Sequence, residues 1–351
     1  MPAPFRRLVP PVLVSLLLAA VLAACAAPTG SSGATPPGAT VPPATSPAPA
    51  ATGSPTAAAQ PTFPLTVTDD EGRPVTLKAI PQRIVSLTPG TTETAFALGL
   101  GSRVVAVTSS DDYPPAVKSL PQVATYLGVD IEKVVGLRPD IVLAGGNGLN
   151  KPADLQKLRD LGIPVLVVYA KDVPGVLADI RLVGTALGEG PRAAELTAAM
   201  QQQLDSISAA ATADQPLPRV FYELDASDQI YGPAPQSFVA GMVALAGGVP
   251  ITTDNPAVFS ISLEKLVAAD PQVIVLGDFN YGTTPAQVAK RPGWEGMTAV
   301  RDGAVRPVDD TVVTRPGPRL ADGLRDLALA IHPDLRVPSP APLPAWTSPS
   351  T

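Results

Sequence analysis

The chain has 351 residues and a formal net charge of −6, with 43 Pro, 29 Gly, one Cys and one His. An acidic chain with 16% charged and 4% aromatic residues lacks the basic stripe that nucleic-acid binding needs. A single Cys excludes an internal disulfide framework, and a single His leaves little for metal or triad chemistry.

Arg6 and Arg7 precede an apolar run from Leu8 to Ala24, the order of charges and hydrophobes of a signal peptide over residues 1–24. The unbroken part, Leu16 to Ala24, falls short of the ~20 residues that cross a bilayer as a helix. Leu22-Ala23-Ala24-Cys25 resembles the lipobox of bacterial lipoproteins, which implies that Cys25 is lipidated and becomes the first residue of the mature chain. Residues 25–62 then hold no charged and no aromatic side chain. Such a segment cannot bury enough apolar surface to offset the entropy of ordering it, so a disordered Pro/Ala/Thr-rich tether is predicted. Extended at ~3.1 Å per residue, it would reach on the order of 100 Å. Residues 336–351, with their Pro and Ser, are predicted to be a disordered tail.

Between them, short β-branched runs alternate with helical patterns. Ile84 to Leu87, Val104 to Thr108, Ile141 to Ala144 and Val165 to Tyr169 are the first four, and Val220 to Leu224, Val273 to Leu276 and Ala304 to Val308 follow. Runs such as Val165-Leu166-Val167-Val168 are apolar on both faces, as parallel strands covered by helices are. The fold class is therefore α/β, with βαβ units. Asp172 to Gly188 reads as helical, and Gly190-Pro191 opens a second helical run reaching about Ala211. Its apolar residues Leu196, Met200, Leu204 and Ile207 recur at spacings of four, four and three. A helix of that length, rising 1.5 Å per residue, would span roughly 32 Å, about one domain diameter. The predicted organisation is an N-terminal lobe over 63–171, a bridging helical segment over 172–212 and a C-terminal lobe over 213–335.

An internal repeat supports two related lobes. Ile131-Glu132-Lys133-Val134-Val135 matches Leu263-Glu264-Lys265-Leu266-Val267 at an offset of 132, and Pro139, Ile141-Val142-Leu143 and Gly145 match Pro271, Val273-Ile274-Val275 and Gly277 without a gap.

Arg83-Ile84-Val85-Ser86-Leu87-Thr88-Pro89, Thr92-Glu93, Asp112-Tyr113-Pro114-Pro115, Asp130 to Val135 and Leu137-Arg138-Pro139-Asp140 stand in an order that resembles the solute-binding proteins of cobalamin and ferric siderophore ABC importers. Ala246-Gly247-Gly248, Leu263-Glu264-Lys265, Pro292-Gly293-Trp294 and Ala299 to Gly303 continue the series. The resemblance implies two Rossmann-like lobes joined by one long rigid helix and a ligand cleft between them; because a bridging helix resists a large hinge motion, only modest closure on binding is expected. It implies an extracytoplasmic, lipid-anchored monomer that delivers its ligand to permease subunits. Glu132 and Glu264, one per lobe, occupy the motif positions whose carboxylates dock onto permease arginines in this family. Read from the residues alone, each is equally a helix N-terminal carboxylate favoured by the helix dipole.

Loops at the carboxyl ends of parallel strands line the cleft in open α/β sheets. The ligand-binding candidates on those loops are Ser110, Asp112, Tyr113, Tyr126 and Asn147 in the first lobe and Asp225, Phe259 and Arg315 in the second. Aromatics there suit a large flat ligand, and Arg315 could meet a carboxylate or phosphate in a fork. Two positions depart from cobalamin-binding relatives: Ser110 stands where they carry an aromatic, and Gly145 where they can carry a tryptophan. A corrinoid is expected ahead of a ferric siderophore or haem. A non-transport sensor or surface interaction protein on the same fold is the other class. No catalytic residue, metal site or cofactor is expected: Gly99-Leu100-Gly101 ends a helix and lacks the third glycine of a dinucleotide loop, and no Gly-x-Ser-x-Gly elbow or phosphate loop occurs.

Overall fold

The computed structural model describes residues 62–213, 216–337, 339–340 and 342. The signal peptide, the lipobox with Cys25, nearly all of the tether and most of the tail lie outside the described residues.

Strands β1 (Leu65–Thr68) and β2 (Pro74–Leu77) pair as an antiparallel hairpin. The first lobe follows as β3 (Ile84–Ser86), α1 (Pro89–Ala97), β4 (Val104–Thr108), β5 (Gln122–Thr125), β6 (Gly128–Val129), α2 (Ile131–Leu137), β7 (Ile141–Gly145), α3 (Pro152–Asp160) and β8 (Val165–Val168). Its sheet has the order β6-β5-β4-β3-β7-β8 and is parallel except at β6. Two helices come next, α4 (Val173–Ala186) and α5 (Gly190–Thr212). The second lobe holds β9 (Arg219–Glu223), α6 (Phe238–Leu245), β10 (Val249–Pro250), α7 (Leu263–Ala269), β11 (Val273–Leu276), α8 (Pro285–Val288), α9 (Thr298–Arg301), β12 (Val305–Pro307), α10 (Asp310–Val313) and α11 (Leu320–Ile331). Its sheet, β10-β9-β11-β12, is parallel throughout.

Every residue of β3, β7 and β11 is buried, which explains why these strands read as continuous apolar runs rather than alternating ones. The strand ends match the sequence reading to within about two residues. The first bridging helix starts at Val173 because the Asp172 carboxylate caps it, accepting from the Gly175 N–H at 2.8 Å. The second starts at Gly190, with Pro191 in its first turn. Its stripe of Leu196, Met200, Leu204 and Ile207 is 0, 0, 3 and 1% exposed, so each side chain contributes about 1.5–3 kcal/mol of burial.

That stripe joins the lobes. One apolar core takes Ile84, Ile141 and Leu143 from the first sheet, the α5 stripe, Val220, Tyr222 and Val275 from the second sheet, and Leu324 and Leu327 from α11. The outer face of each sheet has a separate core, one around Val85 and Leu158, the other around Phe221 and Trp294. Helix α5 is pinned at both ends. Near its start Ala193 crosses Gly184 so closely that a Cβ at 184 would lie 2.3 Å from the Ala193 Cβ. At its end the Ala211 carbonyl oxygen would lie 2.2 Å from a Cβ at Gly247, whose φ of +80° also favours glycine. His332 caps the last helix and sits 2.9 Å from the Gly247 carbonyl oxygen.

The repeat in the sequence is a repeat in geometry. Asp130 and Ser262 cap α2 and α7, accepting from the N–H of Lys133 at 3.0 Å and Lys265 at 3.2 Å. Both helices end on a left-handed residue, Arg138 and Asp270. Arg83 and Arg219, at the start of β3 and β9, donate from Nε to the last-turn carbonyls of Leu137 and Ala269, each at 2.9 Å. Past residue 335, Val337 packs against the main core together with Leu335, so the first residues of the predicted tail are packed on the body.

Candidate ligand-binding cleft

In the first sheet the chain runs outward from β3 to β4 and β5, then returns to β7 and β8 on the other side of β3. Two strand ends therefore diverge at β3 and β7, the switch point where open α/β sheets bind ligands. A cavity of about 560 Å³ lies there. Its lobe-one wall comes from the carboxyl ends of all five parallel strands, Thr88, Ser110, Tyr126, Asn147 and Tyr169 among them, and its lobe-two wall from Phe238, Val239 and Thr314 to Pro316. Helix α4 closes one side with Val176, Asp179, Ile180 and Val183.

The switch point is held by side chains rather than by strand pairing. Asn150 Oδ1 accepts from the Gly145 N–H at 2.8 Å while its Nδ2 donates to the Leu87 carbonyl at 3.1 Å, tying the two divergent ends. Asn147, left-handed at φ 52°, donates from Nδ2 to the Tyr169 hydroxyl at 2.7 Å. Gly145 has a steric reason: a Cβ there would lie 2.7 Å from Thr88 Cγ2 and 3.0 Å from Leu149 Cβ. The space a tryptophan would take at 145 is filled by Thr88 and Leu149.

Of the eight ligand-binding candidates, Tyr126, Ser110, Asn147 and Arg315 line the cavity. Tyr126 stands 89% exposed at its mouth, next to the exposed Leu127 and near Leu149. Asp112 and Tyr113 instead belong to a strap between the lobes. Arg315 donates from Nη1 to Glu93 Oε1 at 2.8 Å and to Asp112 Oδ1 at 2.6 Å. Arg319 grips both Glu93 oxygens, Nε to Oε2 at 2.9 Å and Nη2 to Oε1 at 2.6 Å, and lies 4.3 Å from the Tyr113 ring centroid. Burial opposes the charge on Arg315, but the Asp112 and Glu93 carboxylates outweigh it and hold the guanidinium pKa above its ordinary value. The free fork expected of Arg315 is thus engaged within the protein. Asp225 and Phe259 sit off the cavity, on a second-lobe loop where Tyr231 bridges to Asp225 and Ser260.

The matching strand ends of the second lobe are filled by an ion pair and a phenol–carboxylate hydrogen bond. Glu223 accepts two bonds from Arg291, at 2.6 and 2.8 Å, and Tyr222 donates to Asp310 Oδ1 at 2.8 Å. Burial pushes the Glu223 and Asp310 carboxyls up, and Arg291 only partly restores Glu223. The ligand space therefore belongs mainly to the first lobe.

Sequence reasoning passed over Tyr169, Phe238 and Asp179. Tyr169 was legible as the aromatic closing a buried strand; Phe238 and Asp179 lie on helices that pattern alone reads as packing. Glu132 and Glu264 are exposed in the first turns of α2 and α7. Three residues on, Val135 and Val267 are also exposed, so each lobe offers a carboxylate beside an apolar side chain. The Glu264 carboxyl is held below its usual range by its own backbone N–H and the Ser262 hydroxyl.

Residues 84–311 match the family described as Periplasmic binding protein. The chain belongs to that family. Among relatives of this binding protein, the Bacillus subtilis (strain 168) protein named "Uncharacterized ABC transporter substrate-binding lipoprotein YvrC" is 36% identical over 276 residues, 78% of this chain and 87% of that one. A cobalamin-binding protein of Halobacterium salinarum is 31% identical over 281 residues, 77% of this chain and 75% of its own. Among solved structures, the vitamin B12 binding protein BtuF of Vibrio cholerae superposes with a TM-score of 0.61 at 29% identity, over 72% of this chain and 97% of that one. A periplasmic heme binding protein from Pseudomonas aeruginosa gives 0.64 at 30% identity, over 77% and 99%. The family consists of substrate-binding transport proteins of ABC importers rather than enzymes, and it works outside the cytoplasm. Among the described residues, no helix of the binding protein is long and apolar enough to cross a membrane.

Proposed function

We propose that this binding protein captures a corrinoid outside the cytoplasm and hands it to the permease of an ABC importer. The observation that carries the reading is the chemistry of the cavity wall. It is built mainly from Thr, Ser, Asn, Tyr, Phe238 and aliphatic side chains, with Asp179 its acidic member, and its cation, Arg315, is engaged by Glu93 and Asp112. Neutral polar groups around apolar surface suit a large ligand edged with amides, whereas a haem brings carboxylates that need free cations. The cobalamin-binding relatives support the same ligand class. At about 560 Å³ the cavity takes part of a corrin-sized ligand, and the exposed Tyr126, Leu127 and Leu149 extend the contact at its mouth.

Glu132 and Glu264, each with its neighbouring valine, meet the two permease subunits. Two carboxylates set apart on one surface fix a partner's orientation and steer its approach. Lipidation at Cys25 and the 25–62 tether hold a monomer at the outer face of the membrane while letting it range from the surface. A ferric siderophore or haem is the second reading. Its support is the pair of phenols at the cavity, Tyr126 and Tyr169, since a tyrosine oxygen can ligate haem iron, and the heme-binding structural neighbours.

The test is pigment retention. Purified protein is mixed with cyanocobalamin, desalted, and its visible spectrum recorded. Corrinoid absorbance in the protein fraction is the expected result. A colourless fraction, with haemin retained under the same conditions, replaces this reading with the second one.

A further inference from the structure

Two neutral side chains on the first-lobe wall of the cavity are joined to each other. Asn147, in the loop after β7, donates from Nδ2 to the hydroxyl of Tyr169, just past β8, at 2.7 Å. The base of the phenol is fixed as well. The Tyr169 N–H donates to Asp70 Oδ2 at 2.5 Å, and the neighbouring Val168 carbonyl accepts from the Gly146 N–H at 3.0 Å. A Cβ at Gly146 would lie 3.0 Å from the Tyr169 Cβ, so the loop after β7 lies directly against the tyrosine. Asn147 takes a left-handed backbone, φ 52°, which asparagine tolerates better than most residues. Asn147 is exposed and Tyr169 half-buried, so the pair is within reach of a ligand in the cavity.

The bond between them uses one group of each and leaves one of each. The phenol oxygen accepts, so its own O–H remains to donate; the amide nitrogen donates, so Asn147 Oδ1 remains to accept. Among the described residues, no group accepts from the Tyr169 O–H and none donates to Asn147 Oδ1.

We propose that Asn147 and Tyr169 are a specificity-determining pair of the cavity, a receptor for one primary amide on the edge of the ligand. The ligand amide oxygen accepts from Tyr169, and its N–H donates to Asn147 Oδ1. The Asn147–Tyr169 bond then closes a ring of three hydrogen bonds in which every donor has an acceptor, and such networks strengthen their members. A carboxylate in the same place has no N–H for Asn147 and sets a charged oxygen against Oδ1. A polar group left unpaired in this way discriminates strongly between ligands. This inference rests on the corrinoid reading, because corrinoids carry primary amides around the ring. It makes Tyr169 a neutral donor rather than an iron ligand.

The experiment measures equilibrium binding, to the full chain at pH 7, of cyanocobalamin and of the monocarboxylic acids made by hydrolysing one peripheral amide. At least one acid is expected to bind wild type about tenfold or more weakly than the parent. Tyr169→Phe, which keeps the ring and loses the O–H, should weaken cyanocobalamin about tenfold, the worth of one hydrogen bond. Asn147→Gly keeps the left-handed backbone and removes the side chain. It should weaken cyanocobalamin by a similar factor and bind that acid within about twofold of the parent. A merely structural role for Asn147 would lower the affinity for both ligands alike and preserve their ratio. Should Asn147→Gly not fold, the isosteric Asn147→Asp decides. Its carboxylate takes the Tyr169 proton, so adding Tyr169→Phe should change cyanocobalamin affinity less than about twofold, and a full tenfold loss in that background overturns the proposal. Equal wild-type affinity for the parent and every acid, or a ratio unchanged in Asn147→Gly, also overturns it and leaves the corrinoid reading standing. Retention of haemin without cyanocobalamin, or of neither, overturns both.

Discussion

Glu93 spans the two lobes with one carboxylate. It is 3% exposed, sits on α1 of the first lobe, and receives three hydrogen bonds from Arg315 and Arg319 of the second. The sequence shows Glu93 only as part of a motif after Thr92, because nothing local announces partners more than two hundred positions away. Arg315, read as a ligand-facing charge, does line the cavity, but its pairing with Glu93 and Asp112 went unread for the same reason: an arginine in a loop carries no mark of the carboxylates it will meet. Breaking a buried pair by neutralising one member leaves the other charge uncompensated, which typically costs 3–5 kcal/mol. Arg315 keeps Asp112, so Glu93→Gln is expected to lower stability by about 2–3 kcal/mol. Urea unfolding measures it, with Arg319→Met as the second arm of a double-mutant cycle. Additive effects of the two substitutions would show that the strap contributes no coupling.

At the scale of elements, those that bury both faces or one full stripe were legible. Strands Val104–Thr108 and Val273–Leu276 were read at their observed bounds, and α5 to within about two residues of each end, because apolar periodicity is the direct imprint of burial. The β1–β2 hairpin was not read. Its strands alternate buried and exposed over four residues each, too short to stand out, yet its turn supplies Asp70, whose carboxylate accepts from the Tyr169 N–H at the end of β8. Strands β5 and β6 were missed too: Gln122 to Thr125 offers few β-branched residues, and β6 has only two residues. The departure at Gly145 was visible in the sequence; that Thr88 and Leu149 fill the space was not. Helix α5 yields a direct prediction. Met200 is 0% exposed in the core shared by both lobes, so Met200→Ala should cost about 2–5 kcal/mol. Calorimetry should show a single transition moved down as a whole. Two separated transitions, with only one displaced, would mean that the lobes do not share a core.

For the whole molecule, the repeat and the shared core act together. Each lobe carries the same capped helix with a carboxylate and a valine outward, and α5, closely packed at Gly184 and Gly247, lies in the core shared by both lobes. Under the proposed function, these two patches are the contacts offered to the permease, one from each lobe. On that proposal, capture and delivery rest on different residues, the first on the cavity and the second on Glu132 and Glu264. The most direct measurement is uptake of radiolabelled cyanocobalamin by cells whose only copy of this receptor is Glu132→Lys/Glu264→Lys, beside pigment retention by the purified double variant. The account predicts that retention is unchanged while uptake falls to the level of cells lacking the receptor. Uptake at the wild-type rate in the double variant would contradict it.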